Sequence, residues 1–227
     1  MENTRSISVF DVIGPVMVGP SSSHTAGAVR LGRIARLLLG TAPEEAVIEL
    51  HGSFAETGKG HGTDKAIVAG LLGLDTADER IRHSLQIAEA SQLSVSFSTV
   101  DLGEEAHPNS ARITLSANGN RMQIIGSSIG GGMVEITNLQ GYSVHFTAEL
   151  DTLIVIAGDQ PGTINSITGW LLEHHINVAF LNVSRDQRGG EAIMIIETDQ
   201  PIPDEIVAAI EQFPWVRWVR KVLKLSE

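Results

Sequence analysis

The chain contains no cysteine in its 227 residues. This absence excludes disulfide bonds, thiolate nucleophiles and zinc sites built on thiolates. It also excludes an iron–sulfur cluster bound by this chain alone, because such clusters are held mainly by cysteine thiolates. Any chemistry performed by the chain must therefore rest on other side chains.

Basic residues are also scarce. Lys and Arg total 16 against 27 Asp and Glu, which gives a net charge of −11. A chain this acidic is a poor candidate for binding nucleic acid or an anionic membrane surface. No apolar run approaches the ~20 residues of a membrane span, and Met1–Arg5 has no signal-peptide pattern. With 42% hydrophobic residues, the chain is predicted to be a folded, soluble, cytoplasmic protein.

Hydrophobic periodicity divides the chain into two segments with a boundary near residue 150. In the first segment, residues 1–150, apolar residues recur at helical spacing from Ala28 to Leu38 and predict a helix over 24–39. The dipeptide Asn-Gly at 118–119 predicts a β-hairpin. Together the elements predict an α+β domain with a mainly antiparallel sheet. The other predicted elements are a strand at 46–50, a glycine-rich loop at 57–63, helices at 65–72 and 79–90, and strands at 93–100, 111–117, 122–127, 133–137 and 142–147.

The second segment, residues 151–227, has a simpler pattern. Its strands and helices are predicted in the order βαββαβ, which is that of the split ferredoxin-like unit. A domain of about 75 residues is small for independent stability, and the apolar run of Ile193, Met194, Ile195 and Ile196 lies on a predicted central strand. We therefore expect this domain to self-associate. The predicted elements are at 152–157, 163–174, 177–185, 191–198, 204–213 and 215–223.

Three serines, a histidine and a threonine occupy residues 21–25 at the start of the first predicted helix. One interpretation is an ordinary N-cap cluster, since Ser and Thr are common cap residues. The other is an anion site, since a helix N-terminus presents free N–H groups and a positive dipole end to a carboxylate or phosphate. A cap needs one serine, so three serines followed by His24, a side chain type that titrates near neutral pH, exceed the structural requirement.

Glycine alternates with other residues over 58–64, Gly-Lys-Gly-His-Gly-Thr-Asp. The spacing is not that of a P-loop. The structural interpretation is a flexible turn capped by Thr63 or Asp64. The functional interpretation is a loop whose glycines let the backbone approach a ligand closely. His61 has no apolar neighbours in this loop, so a packed core position is not expected for it.

Two further turns are candidates for binding anions. Residues 127–132, Ser-Ser-Ile-Gly-Gly-Gly, join two predicted strands, where the glycines form either a bulge or a nest of N–H groups. Residues 159–162, Asp-Gln-Pro-Gly, form a strand-to-helix turn. That turn either only connects two elements or offers N–H groups to a small carboxylate.

Histidine is the remaining type of metal ligand in quantity. A histidine-only metal site from His24, His51, His61 and His107 is conceivable. No H-E-x-x-H spacing exists, however, and His51 and His107 have simpler interpretations at the end of a strand and in a loop. We predict no metal ligand in this chain.

These motifs resemble those of a known family. Residues 8–40 begin with the run Ser-Val-Phe-Asp-Val-Ile-Gly-Pro-Val-Met-Val-Gly-Pro-Ser-Ser-Ser-His-Thr, and residues 51–64 read His-Gly-Ser-Phe-Ala-Glu-Thr-Gly-Lys-Gly-His-Gly-Thr-Asp. With Ser-Ile-Gly-Gly-Gly at 128–132, both runs resemble the beta chain of bacterial iron–sulfur-dependent L-serine dehydratase. The C-terminal segment resembles an ACT domain, the amino-acid-sensing module. The resemblance covers almost the whole chain.

The resemblance implies an L-serine ammonia-lyase that works as two chains. An alpha chain would hold a [4Fe–4S] cluster through its cysteines, and an open iron of that cluster would act as a Lewis acid on the hydroxyl of L-serine. Residues 1–150 would be the catalytic, substrate-binding domain, and residues 151–227 the ACT domain.

The same resemblance implies roles for particular residues. His24 and His61 would shuttle protons to the departing hydroxyl or orient the substrate, and Asp64 would orient His61 or cap a helix. The implied substrate-binding residues are Ser22, Ser23, Thr25, Asp64, Ser128, Gly130, Gly131 and Gly132. The implied effector residues of the ACT domain are Asp159, Gln160, Gly162 and Asn177.

Two other functions compete with this one. A regulatory protein that senses an amino acid needs only the ACT domain, and it leaves the histidine and glycine motifs without a role. A histidine-metal hydrolase would need stoichiometric zinc in the isolated chain.

Overall fold

The computed structural model describes residues 16–225, so residues 8–15 of the family motif lie outside the described residues. The strands are β1 Glu45–Leu50, β2 Ser94–Thr99, β3 Ser110–Ala117, β4 Asn120–Gly130, β5 Met133–Leu139, β6 Tyr142–Phe146, β7 Asp151–Gly158, β8 Val178–Arg185, β9 Glu191–Thr198 and β10 Val216–Val222. The helices are α1 Ala28–Leu39, α2 Gly52–His61, α3 Thr63–Leu71, α4 Ser84–Ala90, α5 Thr163–Glu173 and α6 Asp204–Glu211. A π-helical segment, Ser22–Gly27, leads into α1, and a 3₁₀ helix, Glu79–His83, leads into α4.

The strands form two sheets, one in each segment. The first sheet has six strands in the order β2-β1-β3-β4-β5-β6, and only the β1–β2 pair is parallel. The predicted hairpin is confirmed, because Asn118 and Gly119 both have positive φ, 51° and 76°, as its tight turn requires. The predicted α+β class and the mainly antiparallel sheet are confirmed as well.

Helices α1 and α3 cross with their backbones in contact. A Cβ atom on Gly70 would lie 2.0 Å from the carbonyl oxygen of Val29, and one on Gly32 would lie 2.2 Å from that of Ile67. Glycine is therefore required on both sides of the crossing. This contact fixes α1 across the six-stranded sheet, with its N-terminal end close to β4.

The second sheet, in the order β10-β7-β9-β8, is covered on both faces. Leu153 and Val155 pack with helices α5 and α6, whereas Ile154 and Ile156 belong to the core of the first segment. Residues 193–196 of β9 alternate between the same two cores and are at most 2% exposed. Because both faces are buried within one chain, this apolar run needs no second copy to cover it. The apolar run therefore does not support self-association, which stays a prediction.

The predicted glycine-rich loop at 57–63 is also wrong. Helix α2 spans Gly52–His61 and ends at Gly62, whose φ of 74° suits glycine. Phe54 is fully buried and anchors the helix, and Gly58 packs closely against Thr63. Tertiary packing thus overrides the low helix propensity of glycine. His61 consequently lies in the last turn of a helix.

The other predicted elements are present with end shifts of a few residues, and the helix predicted over 79–90 is divided into a 3₁₀ helix and α4. Within residues 16–225, the helices are too short or too polar to cross a membrane.

Candidate active site

Two histidines from different elements meet at the start of α1. His24 lies in the π-helical segment, and His61 lies in the last turn of α2. Their ring centroids are 4.8 Å apart. His61 is exposed and His24 is half-buried, with its ring edge-on to Phe54 at 5.3 Å. The fold therefore brings together the two histidines that the sequence motifs singled out.

Hydroxyl groups surround the His24 ring. Its Nε2 atom lies 3.1 Å from Thr57 Oγ1 and 3.3 Å from Ser53 Oγ. Its Nδ1 atom lies 3.5 Å from Ser21 Oγ. The Nδ1 atom of His61 is 3.1 Å from the backbone oxygen of Thr57. A single residue of α2, Thr57, therefore contacts both rings.

Burial lowers the pKa of His24, and the positive charge of a protonated His61 lowers it further. Hydrogen bonding to the Ser53 backbone opposes this shift without reversing it. The His24 ring is therefore neutral at neutral pH. Two imidazoles this close cannot both be protonated without mutual repulsion, so the pair holds one proton more readily than two.

The serines at the helix start have different roles. Ser21 is the N-cap, and its Oγ accepts a hydrogen bond of 3.2 Å from the backbone N–H of His24. Ser22 and Ser23 are half-buried, and their side chains form no hydrogen bond with any residue of 16–225. Thr25 is only 2% exposed and packs against Gly19, where a Cβ would lie 2.4 Å from Thr25 Oγ1. Its role as a substrate-binding residue stays a prediction, and in this structure its side chain lies in the interior.

The glycine turn lies next to the same helix. Gly130, Gly131 and Gly132 all have positive φ, of 111°, 59° and 81°, so only glycine suits the turn. The last of them accepts a hydrogen bond of 2.9 Å from Arg30 Nη1 in α1 through its carbonyl. Ser128 is fully buried, and its Oγ would be 2.0 Å from a Cβ on Gly27. Ser128 therefore packs against the start of the helix, and its contact with substrate stays a prediction.

Asp64 has a structural partner. Its Oδ1 accepts a hydrogen bond of 2.8 Å from the backbone N–H of Lys65, in the first turn of α3. The Nδ1 atom of His61 is engaged by Thr57 instead. Two roles were predicted for Asp64, and its hydrogen bond is the one expected of a residue at a helix terminus. The His61 ring is oriented by Thr57.

The other candidate histidines serve local structure. His51 Nδ1 lies 3.3 Å from both Val100 O and Leu102 N, and His107 Nδ1 accepts a hydrogen bond of 3.1 Å from Asn109 N. In the described part of the chain, no group of three or more His, Asp or Glu side chains is arranged to hold a metal ion.

Comparisons with known proteins agree with these motifs. Residues 8–138, more than half of the chain, match the family model of the serine dehydratase beta chain, and residues 152–214 match that of the ACT domain. A probable L-serine dehydratase beta chain of Bacillus subtilis is 46% identical over 215 residues, covering 95% of this chain and 97% of that protein. The L-serine dehydratase beta chain of Peptoniphilus asaccharolyticus is 38% identical, covering 93% of this chain and 97% of that protein.

The chain belongs to the serine dehydratase beta chain family. The family resemblance inferred from the motifs is thus confirmed. A more distant relative is a D-3-phosphoglycerate dehydrogenase of Methanocaldococcus jannaschii, 32% identical over 114 residues, which are 50% of this chain and 22% of that enzyme.

Within one chain, the four predicted effector residues lie in two places. Asp159 Oδ2 accepts hydrogen bonds from Gly189 N at 2.9 Å and from Arg185 Nη1 at 3.1 Å, at the end of β8. These partners hold the pKa of the Asp159 carboxyl below its usual value. Asn177 precedes β8 and donates to Asp199 at 2.6 Å. A strand of eight residues separates the two ends, roughly 26 Å at 3.3 Å per residue. Within one chain, Asn177 and Asp159 therefore lie at opposite ends of β8, and their shared effector role stays a prediction.

The other two effector residues lie beside Asp159. The carbonyl of Gln160 accepts a hydrogen bond of 3.1 Å from Thr163 Oγ1, and Gly162, with φ of 94°, precedes the first residue of α5. Both shape the strand-to-helix turn.

Sequence reasoning missed Ser53 and Thr57. Both lie on the face of α2 that carries His61, because residues 53, 57 and 61 are spaced by four. The spacing was visible in the sequence, but the glycines at 58, 60 and 62 favoured a loop, in which such spacing has no meaning.

Proposed function

We propose that this beta chain acts with a separate alpha chain to convert L-serine to pyruvate and ammonia, and that His24 and His61 form its proton-transfer pair. The observation that carries the proposal is the 4.8 Å approach of the two rings at a helix N-terminus. One ring is exposed to incoming substrate, and the other is held by hydroxyl groups.

The reaction requires two proton movements. L-serine loses its Cα proton and its β-hydroxyl, and the hydroxyl leaves as water once it receives a proton. The resulting aminoacrylate tautomerises to an imine, which water hydrolyses to pyruvate and ammonia. We assign delivery of the proton to the departing hydroxyl to the histidine pair. We assign removal of the Cα proton to the alpha chain.

The substrate carboxylate needs donors close to these histidines. The N–H groups and the hydroxyls of Ser22 and Ser23 at the start of the helix supply them, aided by the positive end of the helix dipole. We place the turn Gly130–Gly132 at the edge of this site because Arg30 ties it to α1. Asp64 stays at the helix terminus nearby.

The donor set of this chain does not fit a [4Fe–4S] cluster. The chain has no cysteine, and the candidate site offers two imidazoles and several hydroxyls. We therefore assign the cluster to the alpha chain and its cysteines.

The test is anaerobic co-purification with a cysteine-bearing alpha chain, followed by an assay of pyruvate formed from L-serine. We expect brown, oxygen-sensitive activity from the mixture and none from the isolated, colourless beta chain. Binding of L-serine without pyruvate formation by the complex would favour the regulatory alternative instead.

We further propose that the ACT domain self-associates through strand β8. This strand is at the edge of its sheet and exposes Phe180, Leu181 and Val183 by 65%, 42% and 43%. An edge strand with exposed apolar side chains is a ready template for another strand. If two copies pair their β8 strands antiparallel, Asn177 of the partner subunit lies at the Asp159 end, and an effector site forms between copies.

A lysine at the edge tests this pairing. We expect Val183→Lys to halve the mass seen by light scattering. Val16→Lys is the matched control, because Val16 is 83% exposed and lies outside the ACT domain. An unchanged mass in Val183→Lys would place the assembly contacts elsewhere.

A further inference from the structure

We propose that Thr57 fixes the proton positions on both histidines and leaves Nε2 of His61 as the free base of the pair. The use of that base in catalysis rests on the proposed function. The proton arrangement itself is a property of this chain alone and can be measured without activity.

The hydroxyl proton of Thr57 already takes part in a hydrogen bond. Thr57 Oγ1 donates to Ser53 O, four residues earlier, at 2.9 Å, as Thr commonly does within helices. The oxygen therefore presents only lone pairs to His24 Nε2 at 3.1 Å. A ring nitrogen that meets an acceptor at this distance carries a proton. His24 is thus protonated at Nε2.

The surrounding hydroxyls agree with this tautomer. Ser21 Oγ accepts from the His24 backbone N–H at 3.2 Å, so its own proton is free to point at the unprotonated Nδ1, 3.5 Å away. Ser53 Oγ lies 3.3 Å from His24 Nε2 and 3.4 Å from Thr57 Oγ1. It can accept from the first atom and donate to the second.

The backbone of Thr57 acts on the other ring. A carbonyl oxygen only accepts, so the 3.1 Å contact of Thr57 O requires a proton on His61 Nδ1. In neutral His61 the Nε2 atom is then unprotonated, and this side chain is the exposed one. Thr57 is a positioning residue: its two oxygen atoms decide which nitrogen of each ring is basic.

The arrangement gives the histidines separate tasks. His61 Nε2 can gain a proton and then give it to the departing hydroxyl. His24 stays neutral beside it, because burial and the charge of His61 both disfavour its protonation. The geometry therefore gives the basic nitrogen to the exposed ring of His61 and a donor nitrogen, Nε2, to His24.

The test is ¹⁵N NMR of the isolated chain, in which two-bond couplings show which nitrogen of each imidazole carries a proton. The His24 and His61 signals are identified by their loss in His24→Gln and His61→Gln. We expect Nε2–H for His24 and Nδ1–H for His61. In Thr57→Val, which keeps the shape and backbone, His24 should gain the Nδ1–H form while His61 is unchanged. Thr57→Ser should restore the wild-type signals.

Thr168→Val is the matched control. Thr168 Oγ1 donates to Ile164 O at 2.9 Å in α5, which repeats the back-bond of Thr57 without a histidine beside it. The inference is overturned if His24 keeps its Nε2–H signal in Thr57→Val, or if Thr168→Val changes it equally.

Activity supplies a separate readout. In the complex with the alpha chain, Thr57→Val should lower kcat roughly 10–100-fold, by analogy with loss of a group that orients a metal-bound histidine. KM should be nearly unchanged, and Thr57→Ser should recover the rate. A tautomer shift in Thr57→Val together with an inactive wild-type complex would support the inference and contradict the proposed function.

Discussion

Both regions of this chain place polar residues at a strand-to-helix or loop-to-helix junction, with different results. At the start of α1, His24 meets His61 and Thr57, which come from another helix. At the start of α5, Asp159 meets Arg185 and Gly189, which belong to the adjoining strand end and turn. At the first junction, Nε2 of the exposed His61 ring is left to act as a base. At the second, the Asp159 carboxylate is already bound by Arg185 and Gly189 of its own domain.

This difference distinguishes a candidate active site from a turn whose polar groups serve only local structure. N-cap residues and glycines satisfy backbone groups in both places. Only in the N-terminal region does a separate element deliver a second titratable ring to the helix start. Under the proposed pairing of β8 strands, the ACT turn would gain its predicted fourth residue, Asn177, from another copy of the chain.

The largest effect expected from this comparison is on catalysis. His61→Gln should lower kcat of the complex by about 10²–10⁴-fold, because proton transfer is lost. The melting temperature should hardly move, since surface substitutions usually change stability by no more than about 0.5 kcal/mol. His83→Gln, another exposed histidine of the same region, is the control. Near-normal kcat in His61→Gln would contradict a catalytic role for the junction at α1. A rise confined to KM would make His61 a substrate-positioning residue.

The next test compares a helix glycine from each region. Gly70→Ala should destabilise the protein by about 3 kcal/mol, because the new Cβ would lie 2.0 Å from the backbone oxygen of Val29. Gly169 in α5 has no atom within 4 Å of its Cβ position, so Gly169→Ala should stabilise by about 0.5–1 kcal/mol. Thermal unfolding measures both, at about 2–4 °C per kcal/mol. Equal shifts would mean that α1 and α3 are not in backbone contact.

The last test concerns the hydrogen bond that joins the two regions and has a smaller expected effect than Gly70→Ala. Tyr142 of β6 donates a hydrogen bond of 3.0 Å to Glu191 of β9, so Tyr142→Phe should cost about 1.5 kcal/mol. Burial, followed by the hydrogen bond to Glu191 and the charge of Glu191, raises the pKa of Tyr142 from 10.0 to about 12. Because folding raises this pKa, the contribution is present below pH 10 and is lost as pH rises towards 12.

The measurement is the unfolding midpoint of both proteins over that pH range. The unfolding midpoint of wild type should exceed that of Tyr142→Phe below pH 10, and this difference should disappear as pH approaches 12. If the two plots of midpoint against pH stay parallel, the hydrogen bond between Tyr142 and Glu191 contributes nothing to stability.

Much of the fold could be predicted from the sequence because its signals are local. The Asn118-Gly119 turn and the βαββαβ order of the second region depend on neighbouring residues and on periodicity. Helix α2 could not be predicted, because it is held by burial of Phe54 and by the fit of Gly58 against Thr63, which are tertiary contacts.

The site was predictable in part for the same reason. His24 and His61 stand out by their motifs, whereas the role of Thr57 exists only once α2 is a helix. Thr25 and Ser128 carry a hydroxyl group, as the half-buried Ser22 and Ser23 do. Only packing against Gly19 and Gly27 shows that they are interior.

The two-sided burial of the second sheet has a consequence for how the chain melts. Ile154, Ile156, Ile193 and Ile195 belong to the same core as the N-terminal helices and strands. Removing residues 152–227 would leave that core open to water, so the N-terminal region should aggregate when it is made alone. Two separate family models match residues 8–138 and 152–214, but the chain should unfold as one cooperative unit with a single calorimetric transition.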